Sequence, residues 1–315
     1  LEWQGKLGLF CGWGSETLAL RSDLPLTIGP DAAGAMGRTT LEEGEKRYAC
    51  LTYARSEPVV LPGLGEEAEA RIDRSIAWWE EWADQCHYEG PYRDAVVRSA
   101  LTLKLMTYAP SGAIIAAPTT SLPEKKGGVR NWDYRYCWIR DASMTLTAML
   151  DLGFEAEGTA FLDWLMHATW LTQPALQVLY DVYGETRVRE TNLEHLEGYR
   201  GSRPVRIGNG ASTQLQLDVY GEIVDAAYVY VKRGGTLDHF EEKMLVSLGD
   251  KVARSWRDPD EGIWEIRSGR HHHTHSKMMC WVALDRLVRL HEHGHVNVPV
   301  ESLAEERSAI REAIE

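Results

Sequence analysis

The sequence predicts a mainly α-helical fold in which antiparallel helix pairs form a ring after a short region of β-strands. Apolar residues recur at helical spacing from residue 66 onward. Before residue 60, the stretches TLALRSD and RYACLTYA show the short alternation of strands, separated by turn-forming clusters. The helices are joined by both short turns and long loops. This asymmetry favours helix pairs whose long loops gather at one end.

Most of the predicted helices carry a start or stop signal. Asp141 is expected to cap the helix that ends at Gly153, and Thr213 is expected to cap the helix that ends at Gly234. The predicted helical segments are 66–86, 92–109, 143–152, 154–171, 214–233, 238–256 and 276–293. The long connections are 110–140, 174–212 and 258–274. Long connections in a compact domain are usually functional, so the chemistry is expected there.

Composition and charge argue against several classes of protein. The formal net charge of −13 opposes binding to nucleic acid or to an anionic membrane surface. The chain has no run of about 18 apolar residues, so no transmembrane helix is expected. The five cysteines are scattered and lack CxxC spacing, which favours reduced structural thiols in a cytoplasmic protein.

Both ends of the chain predict an internal fragment of a longer protein. The first residue is Leu1 rather than Met, and no signal peptide is visible. The last stretch, SLAEERSAIREAIE, stops within a helical pattern without a cap. A complete active site is therefore not expected within these 315 residues.

The aromatic composition favours rings with a polar edge. The chain has 12 Trp and 13 Tyr but only 4 Phe, although Phe fills a core equally well. Indole and phenol rings can stack on a sugar while their NH or OH group stays hydrogen-bonded. For any single one of these rings, a half-buried structural position is the favoured interpretation.

The segment RNWDYRYCWIRDAS, residues 130–143, combines aromatic rings with charges at a junction between a loop and a helix. Arg140 and Asp141 follow directly after Trp138. A guanidinium donates to two neighbouring hydroxyls and a carboxylate accepts from them, while an indole suits the apolar face of a sugar. The alternative is a structural ion pair in which Asp141 is only a helix cap.

A carboxyl group stands beside an indole in the loop PDEGIWEIRSGRHHHTHSK, residues 259–277, where Glu265 follows Trp264. Partial desolvation would raise the pKa of Glu265 and keep it protonated, as a general acid requires. Three other acids lie just upstream, and from the residues alone the favoured interpretation is that all four are ordinary loop acids. They are Asp258, Asp260 and Glu261.

Two further groups of polar residues have less specific signals. The histidines of HHHTH lack the helical spacing of HExxH, so a positive patch or a hydrogen-bonding cluster is expected there rather than a metal site. No cofactor is expected. Gln214, Gln216 and Asp218 follow a Gly-rich turn that matches no phosphate-binding loop. Their amides and carboxylate can bind hydroxyls, or they belong to an ordinary helix start.

Together, three segments resemble the bacterial branch of glycoside hydrolase family 15, which contains glucoamylases, glucodextranases and trehalases. The segments are RNWDYRYCWIRDAS, GYRGSRPVRIGNGASTQLQLDVYGE and GIWEIRSGRHHHTHSKMMCWVALDR. The resemblance implies a mainly α fold, a partial (α/α)6 toroid preceded by the C-terminal part of a β-sandwich domain. Residues 1–62 would be the sandwich remnant, 63–90 a linker helix region and 91–315 the first part of a truncated toroid.

The resemblance also implies a reaction, the inverting hydrolysis of terminal α-glucosidic bonds. Glu265 would be the general acid, and the general base would lie beyond Glu315. The residues expected to contact the sugar are Trp138, Arg140, Asp141, Trp264, Gln214, Gln216 and Asp218. The substrate would be trehalose or a malto- or isomalto-oligosaccharide. The alternative is a toroid that binds glucosides without cleaving them.

Overall fold

The chain forms two structural units, Leu1–Asp84 and Gln85–Glu315. The structure is a computed structural model that describes residues 1–56 and 58–315. Strands dominate the first unit and helices dominate the second. The finer division into a sandwich remnant, a linker and a toroid remains a prediction.

The first unit contains six strands, β1 (Glu2–Trp3), β2 (Leu9–Trp13), β3 (Glu16–Ser22), β4 (Leu26–Ile28), β5 (Ala35–Gly37) and β6 (Ala49–Arg55), in its described residues. Four of them form an antiparallel sheet with the order β1-β2-β3-β6. Strands β4 and β5 form a separate antiparallel pair. The helix α1 (Glu66–Asp84) follows. The two stretches predicted as strands thus become β3 and β6, which pair with each other.

The structure describes every residue of the second unit, 85–315, and these residues form seven α-helices. They are α2 (Arg93–Leu105), α3 (Ile139–Leu152), α4 (Glu155–Trp170), α5 (Asp218–Lys232), α6 (His239–Ser255), α7 (Thr274–Glu292) and α8 (Val300–Ile314). Two short antiparallel pairs lie in its loops, β7 (Cys137–Trp138) with β8 (Leu179–Tyr180), and β9 (Thr191–Asn192) with β10 (Arg206–Ile207). No helix in the described ranges has the length and apolar composition needed to cross a bilayer.

Helices α3, α5 and α7 form the centre of the second unit. Helix α5 packs against both α3 and α7, and each of the three also packs against the helix that follows it. Their inward residues, such as Leu146, Ile223 and Leu284, have no exposed surface. Short turns join the members of each pair, α3/α4, α5/α6 and α7/α8, which makes the members antiparallel neighbours.

Three long loops enter these central helices at their N-terminal ends. The loops span residues 106–138, 171–217 and 256–273. Because α3, α5 and α7 lie side by side, the three loops meet at one end of the unit. Direct bonds between their residues, described below, confirm that the predicted long loops gather there.

The two predicted helix caps are wrong. Helix α3 begins at Ile139, with Trp138 in the cap position, so Asp141 lies inside the first turn. Trp138 is held there because β7 pairs with β8. Thr213 ends a short 3₁₀ turn, and α5 begins only at Asp218. Distant residues rather than local caps therefore set these two helix starts.

Candidate active site

An open cleft of about 1150 Å³ lies at the end of the second unit where the long loops meet. One wall comes from the segment that leads into α3, and the other comes from the loop that precedes α7. The lining residues are Ala116, Glu124, Arg130, Trp132, Tyr134, Trp138, Arg140, Asp141, Met144, Ile263, Trp264, Glu265, Ile266, Arg267 and Ser268. Aromatic rings, carboxylates and guanidinium groups together suit a polyhydroxylated ligand.

The carboxyl group of Glu265 joins the two walls. Its Oε1 accepts a hydrogen bond of 2.6 Å from the indole Nε1 of Trp138. The same oxygen lies 3.8 Å from Nη2 of Arg140. The side chain of Glu265 is 26% exposed, so the carboxyl group is sheltered but still accessible from the cleft.

Arg140 connects Glu265 to polar groups beneath the cleft. Its Nη1 donates to Oε1 of Gln216 at 3.2 Å and to Oδ2 of Asp218 at 3.4 Å. Its Nη2 lies 3.9 Å from Oδ2 of Asp141. The side chain of Arg140 is 13% exposed and that of Asp218 is fully buried. One largely buried cation therefore lies within 4 Å of three carboxylates, which belong to α3, to α5 and to the loop that precedes α7.

The environment of Glu265 suits a proton donor. Burial raises the pKa of its carboxyl above the ordinary value, although the hydrogen bond from Trp138 and the charge of Arg140 oppose this shift. Burial wins because the site is shielded from solvent and disfavours the charged form. A carboxyl whose pKa is raised and that opens into a cleft can deliver a proton to a bound oxygen atom.

A strained turn presents Glu265 to the cleft. The residue has a φ of +53°, a backbone conformation that residues other than glycine rarely adopt. Strained backbone of this kind concentrates at functional sites. The turn begins at Gly262, where an added Cβ would lie 2.6 Å from the ring of His273. Glycine is therefore required at the position that starts the turn.

Two acids of the same loop hold it in place. The carboxylate of Asp260 accepts hydrogen bonds from the backbone N–H of Leu217 at 2.9 Å and from the hydroxyl of Ser276 at 2.7 Å. The carboxylate of Glu261 accepts from the backbone N–H of Leu215 at 2.8 Å. These contacts tie the loop to the starts of α5 and α7. Nothing in the sequence indicated this anchoring role for Asp260 and Glu261.

Five of the eight predicted site residues line the cleft, namely Trp138, Arg140, Asp141, Trp264 and Glu265. The other three, Gln214, Gln216 and Asp218, are not among the lining residues. The structure corrects the reason given for the environment of Glu265. Trp264 is 84% exposed, and the indole that contacts the carboxyl is the buried ring of Trp138.

The sequence profile described as "Glycosyl hydrolases family 15" matches residues 90–315. The chain belongs to this family. The match covers the whole second unit except its first few residues and includes every residue of the cleft.

Several proteins of similar sequence are named trehalases. A trehalase of Mycolicibacterium smegmatis is 40% identical over 277 residues, which cover 87% of this chain and 41% of that protein. A trehalase of Thermoplasma volcanium is 36% identical over 285 residues, 90% of this chain and 45% of that protein. The chain thus spans less than half the length of these relatives.

Solved structures support the fold. Two structures of glycosidase variants superpose with TM-scores of 0.51 and 0.50, at 17% and 18% identity. The aligned regions cover 70% and 79% of this chain, and 55% and 58% of those chains. Together with the family match, they confirm the predicted fold class, a mainly α-helical α/α toroid with some strands.

A polar cluster of two buried acids and one partly exposed histidine lies below the cleft. Asp218, Glu222 and His275 each bring one possible metal-binding atom within 4.8 Å of the others. The guanidinium of Arg140 already lies 3.4 Å from Asp218 and balances its charge. In the described part of the chain, Oδ1 of Asp218 has no hydrogen-bond partner. The expectation that the site needs no metal stays a prediction.

This cluster should make stability depend on pH. Burial, followed by the charge of Asp218, raises the pKa of Glu222 from 4.5 to about 8. Between these values the folded protein holds a proton that the unfolded chain releases, so the free energy of unfolding falls as pH rises. The loss is at most about 1.4 kcal/mol per pH unit for one group.

Replacing Glu222→Gln should remove that contribution. We expect urea unfolding at pH 5 and pH 8 to differ less for this variant than for wild type. The exposed Glu292, on α7, provides the control, and Glu292→Gln should retain the wild-type dependence. Equal pH dependence in all three proteins would contradict the assignment of a raised pKa to Glu222.

Proposed function

We propose that this chain carries part of the active site of an α,α-trehalase, a glycoside hydrolase that releases glucose from trehalose with inversion. The carboxyl group of Glu265 carries this proposal, because it lies sheltered in the cleft between Trp138 and Arg140 with a raised pKa. The trehalase names of relatives about 40% identical support trehalose as the substrate.

Five residues of the cleft have a role in the proposed reaction. Glu265 protonates the oxygen that joins the two glucose units. Trp138 packs against the terminal glucose, while Arg140 and Asp141 bind its hydroxyls. Trp264, whose indole is 84% exposed, is free to pack against a bound sugar at the mouth of the cleft.

The residues beneath the cleft act through Arg140 in this proposal. Gln216 and Asp218 hold the guanidinium, and Gln214 accepts a hydrogen bond from the amide of Gln216 at 3.1 Å. Inversion requires a second carboxylate about 6.5–9.5 Å from the acid, with a water molecule between it and the sugar. We expect this general base in a part of the protein outside these 315 residues.

Glucose release by the full-length gene product tests the proposal. Trehalose, maltose and isomaltose are supplied separately, and glucose is measured over time. Release from trehalose at a kcat/KM well above that for the other two supports a trehalase. A higher kcat/KM for maltose or isomaltose would indicate a glucan rather than trehalose as the substrate. If none of the three sugars released glucose, the proposed hydrolase activity would be overturned.

The hydrogen bond from Trp138 predicts a shift in the pH profile. This bond favours the charged form of Glu265, so Trp138→Phe should raise the pKa of the carboxyl. Because the acid must be protonated, the basic limb of kcat/KM should move upward by about one pH unit. Trp264→Phe, which removes an exposed indole from the same cleft, should leave that limb in place. If the basic limb of kcat/KM lay at the same pH in both variants, the hydrogen bond from Trp138 would not lower the pKa of Glu265.

A further inference from the structure

A second arginine of the cleft is held in one orientation. Arg267 follows Glu265 by two residues and lines the cleft. Its Nη2 and Nη1 donate to the two carboxylate oxygens of Glu190 at 2.8 and 3.3 Å. Its guanidinium carbon lies 4.2 Å from the ring centre of Trp132. A planar group with a bidentate partner and a stacked ring has little freedom to rotate.

Glu190 and Trp132 are themselves fixed. Glu190 accepts a hydrogen bond of 3.0 Å from the backbone N–H of Gly210. Arg206 lies 3.5 Å from Glu190 and 4.6 Å from the ring centre of Trp132, so it supports both partners. The hydrogen bond from Arg267 is the main reason why the pKa of Glu190 lies below its ordinary value. Glu190 therefore stays charged and keeps Arg267 in place.

This arrangement leaves Arg267 with donors for a ligand. A guanidinium has five N–H groups, and the bonds to Glu190 use two of them. The side chain is 49% exposed. Arg130, also at the cleft, is 73% exposed and lies 3.6 Å from an exposed Glu124. Among the cleft arginines of the described ranges, Arg267 combines exposure with a fixed orientation.

The position of Arg267 relative to Glu265 suggests which ligand group it meets. The general acid marks the bond to be cleaved, because it protonates the oxygen between the two sugars. Trp138 and Arg140 contact Glu265 and are assigned to the terminal glucose. Arg267 projects from the same loop two residues later, and its charge acts on the carboxyl of Glu265.

We propose that Arg267 binds hydroxyl groups of the leaving sugar and so sets the preference for a sugar leaving group. This inference rests on the proposed function, since it takes Glu265 as the general acid. Glu190 and Trp132 are positioning residues that act through Arg267. Vicinal hydroxyls of a pyranose match the spacing of the N–H groups of a guanidinium.

A comparison of two substrates tests the inference in the full-length gene product. Trehalose has a sugar leaving group, whereas α-glucosyl fluoride has the same terminal glucose and a leaving group without hydroxyls. We expect Arg267→Ala to lower kcat/KM for trehalose about 10- to 100-fold and to change that for α-glucosyl fluoride less than about 3-fold. Arg270→Ala is the matched control, because Arg270 belongs to the same loop, is also 49% exposed and pairs with Glu261 away from the cleft lining.

Binding measurements separate contact with the sugar from an effect on the acid. Calorimetry with Glu265→Gln, with and without Arg267→Ala, removes the titration of Glu265 from the comparison. We expect the second substitution to weaken trehalose binding about 10-fold and to leave the binding of 1-deoxynojirimycin, a mimic of the terminal glucose alone, unchanged. Thermal unfolding checks that the variants remain folded.

The outcomes distinguish this inference from the proposed function. An active wild type whose Arg267→Ala variant treats both substrates alike would overturn the role of Arg267 and leave the hydrolase in place. That role would also be overturned if Arg270→Ala caused an equal loss, or if the binding of trehalose and 1-deoxynojirimycin weakened together. A wild type that neither cleaves nor binds any of the three disaccharides would overturn both.

Discussion

Replacing Glu265→Gln should lower kcat/KM for trehalose by about 10²–10⁴-fold, because the variant cannot deliver a proton to the leaving oxygen. The amide is nearly the same size and can keep a contact with Trp138, so the cleft should retain its shape. Fluoride needs little protonation to leave. The same variant should therefore keep much of its activity toward α-glucosyl fluoride.

A second acid of the same loop provides the control. Asp258 is exposed and is not among the lining residues, so Asp258→Asn should stay within about twofold of wild type on both substrates. If Glu265→Gln kept wild-type activity on trehalose, Glu265 would lose its role as the acid. An equal loss on trehalose and α-glucosyl fluoride would point instead to damage of the sugar-binding wall.

Replacing Arg140→Met should destabilise the protein as well as inactivate it. Asp218 is fully buried, and its only ion pair with an arginine in the described ranges is with Arg140. Breaking a buried pair by removing one partner costs about 3–5 kcal/mol, because the remaining charge is left uncompensated. Activity should fall on trehalose and on α-glucosyl fluoride alike, since both present the same terminal glucose to Arg140.

The destabilisation should grow with pH. Burial already raises the pKa of Asp218, and Arg140 is the largest opposing influence. Without Arg140 the folded protein holds this proton to higher pH than the unfolded chain does. The free energy of unfolding should therefore decline as pH rises above the ordinary aspartate value of 3.8.

Urea unfolding of wild type and Arg140→Met across this range measures both effects. Arg254→Met is the control, because Arg254 is 81% exposed and pairs with the exposed Asp250 at 3.8 Å. Exposed pairs contribute little to stability, so the control should unfold like wild type. An Arg140→Met variant as stable as wild type at pH 7 would contradict the role given to Arg140 in balancing Asp218.

Periodicity in the sequence predicted the helices well but not where all of them begin. Apolar spacing gave segments 66–86 and 154–171, and the observed helices are Glu66–Asp84 and Glu155–Trp170. Helix starts at α3 and α5 were missed because tertiary contacts fix them. The N–H of Leu217, for example, is bound by Asp260, 43 residues away. The residues next to Leu217 in the sequence do not indicate that Asp260 is its hydrogen-bond partner.

The candidate site could be predicted by residue type but not by geometry. Trp138, Arg140 and Glu265 were identified from their segments, and the structure brings them together. The bond between Trp138 and Glu265 spans 127 residues. The pairing of Arg267 with Glu190 spans 77 residues, and Glu190 lies outside the three segments that resemble the family. Only the packing of the long loops reveals that Arg267 is held at the cleft by Glu190.

The anomeric form of the glucose produced from trehalose tests the central claim most directly. Proton NMR follows the glucose released by the full-length gene product during the first minutes, before mutarotation interconverts the two anomers. Inverting hydrolysis predicts one β-glucose for every α-glucose released, since only the attacked sugar changes its configuration. Release of α-glucose alone would indicate retention, and the absence of glucose would exclude hydrolysis of trehalose; either result would contradict the proposed reaction.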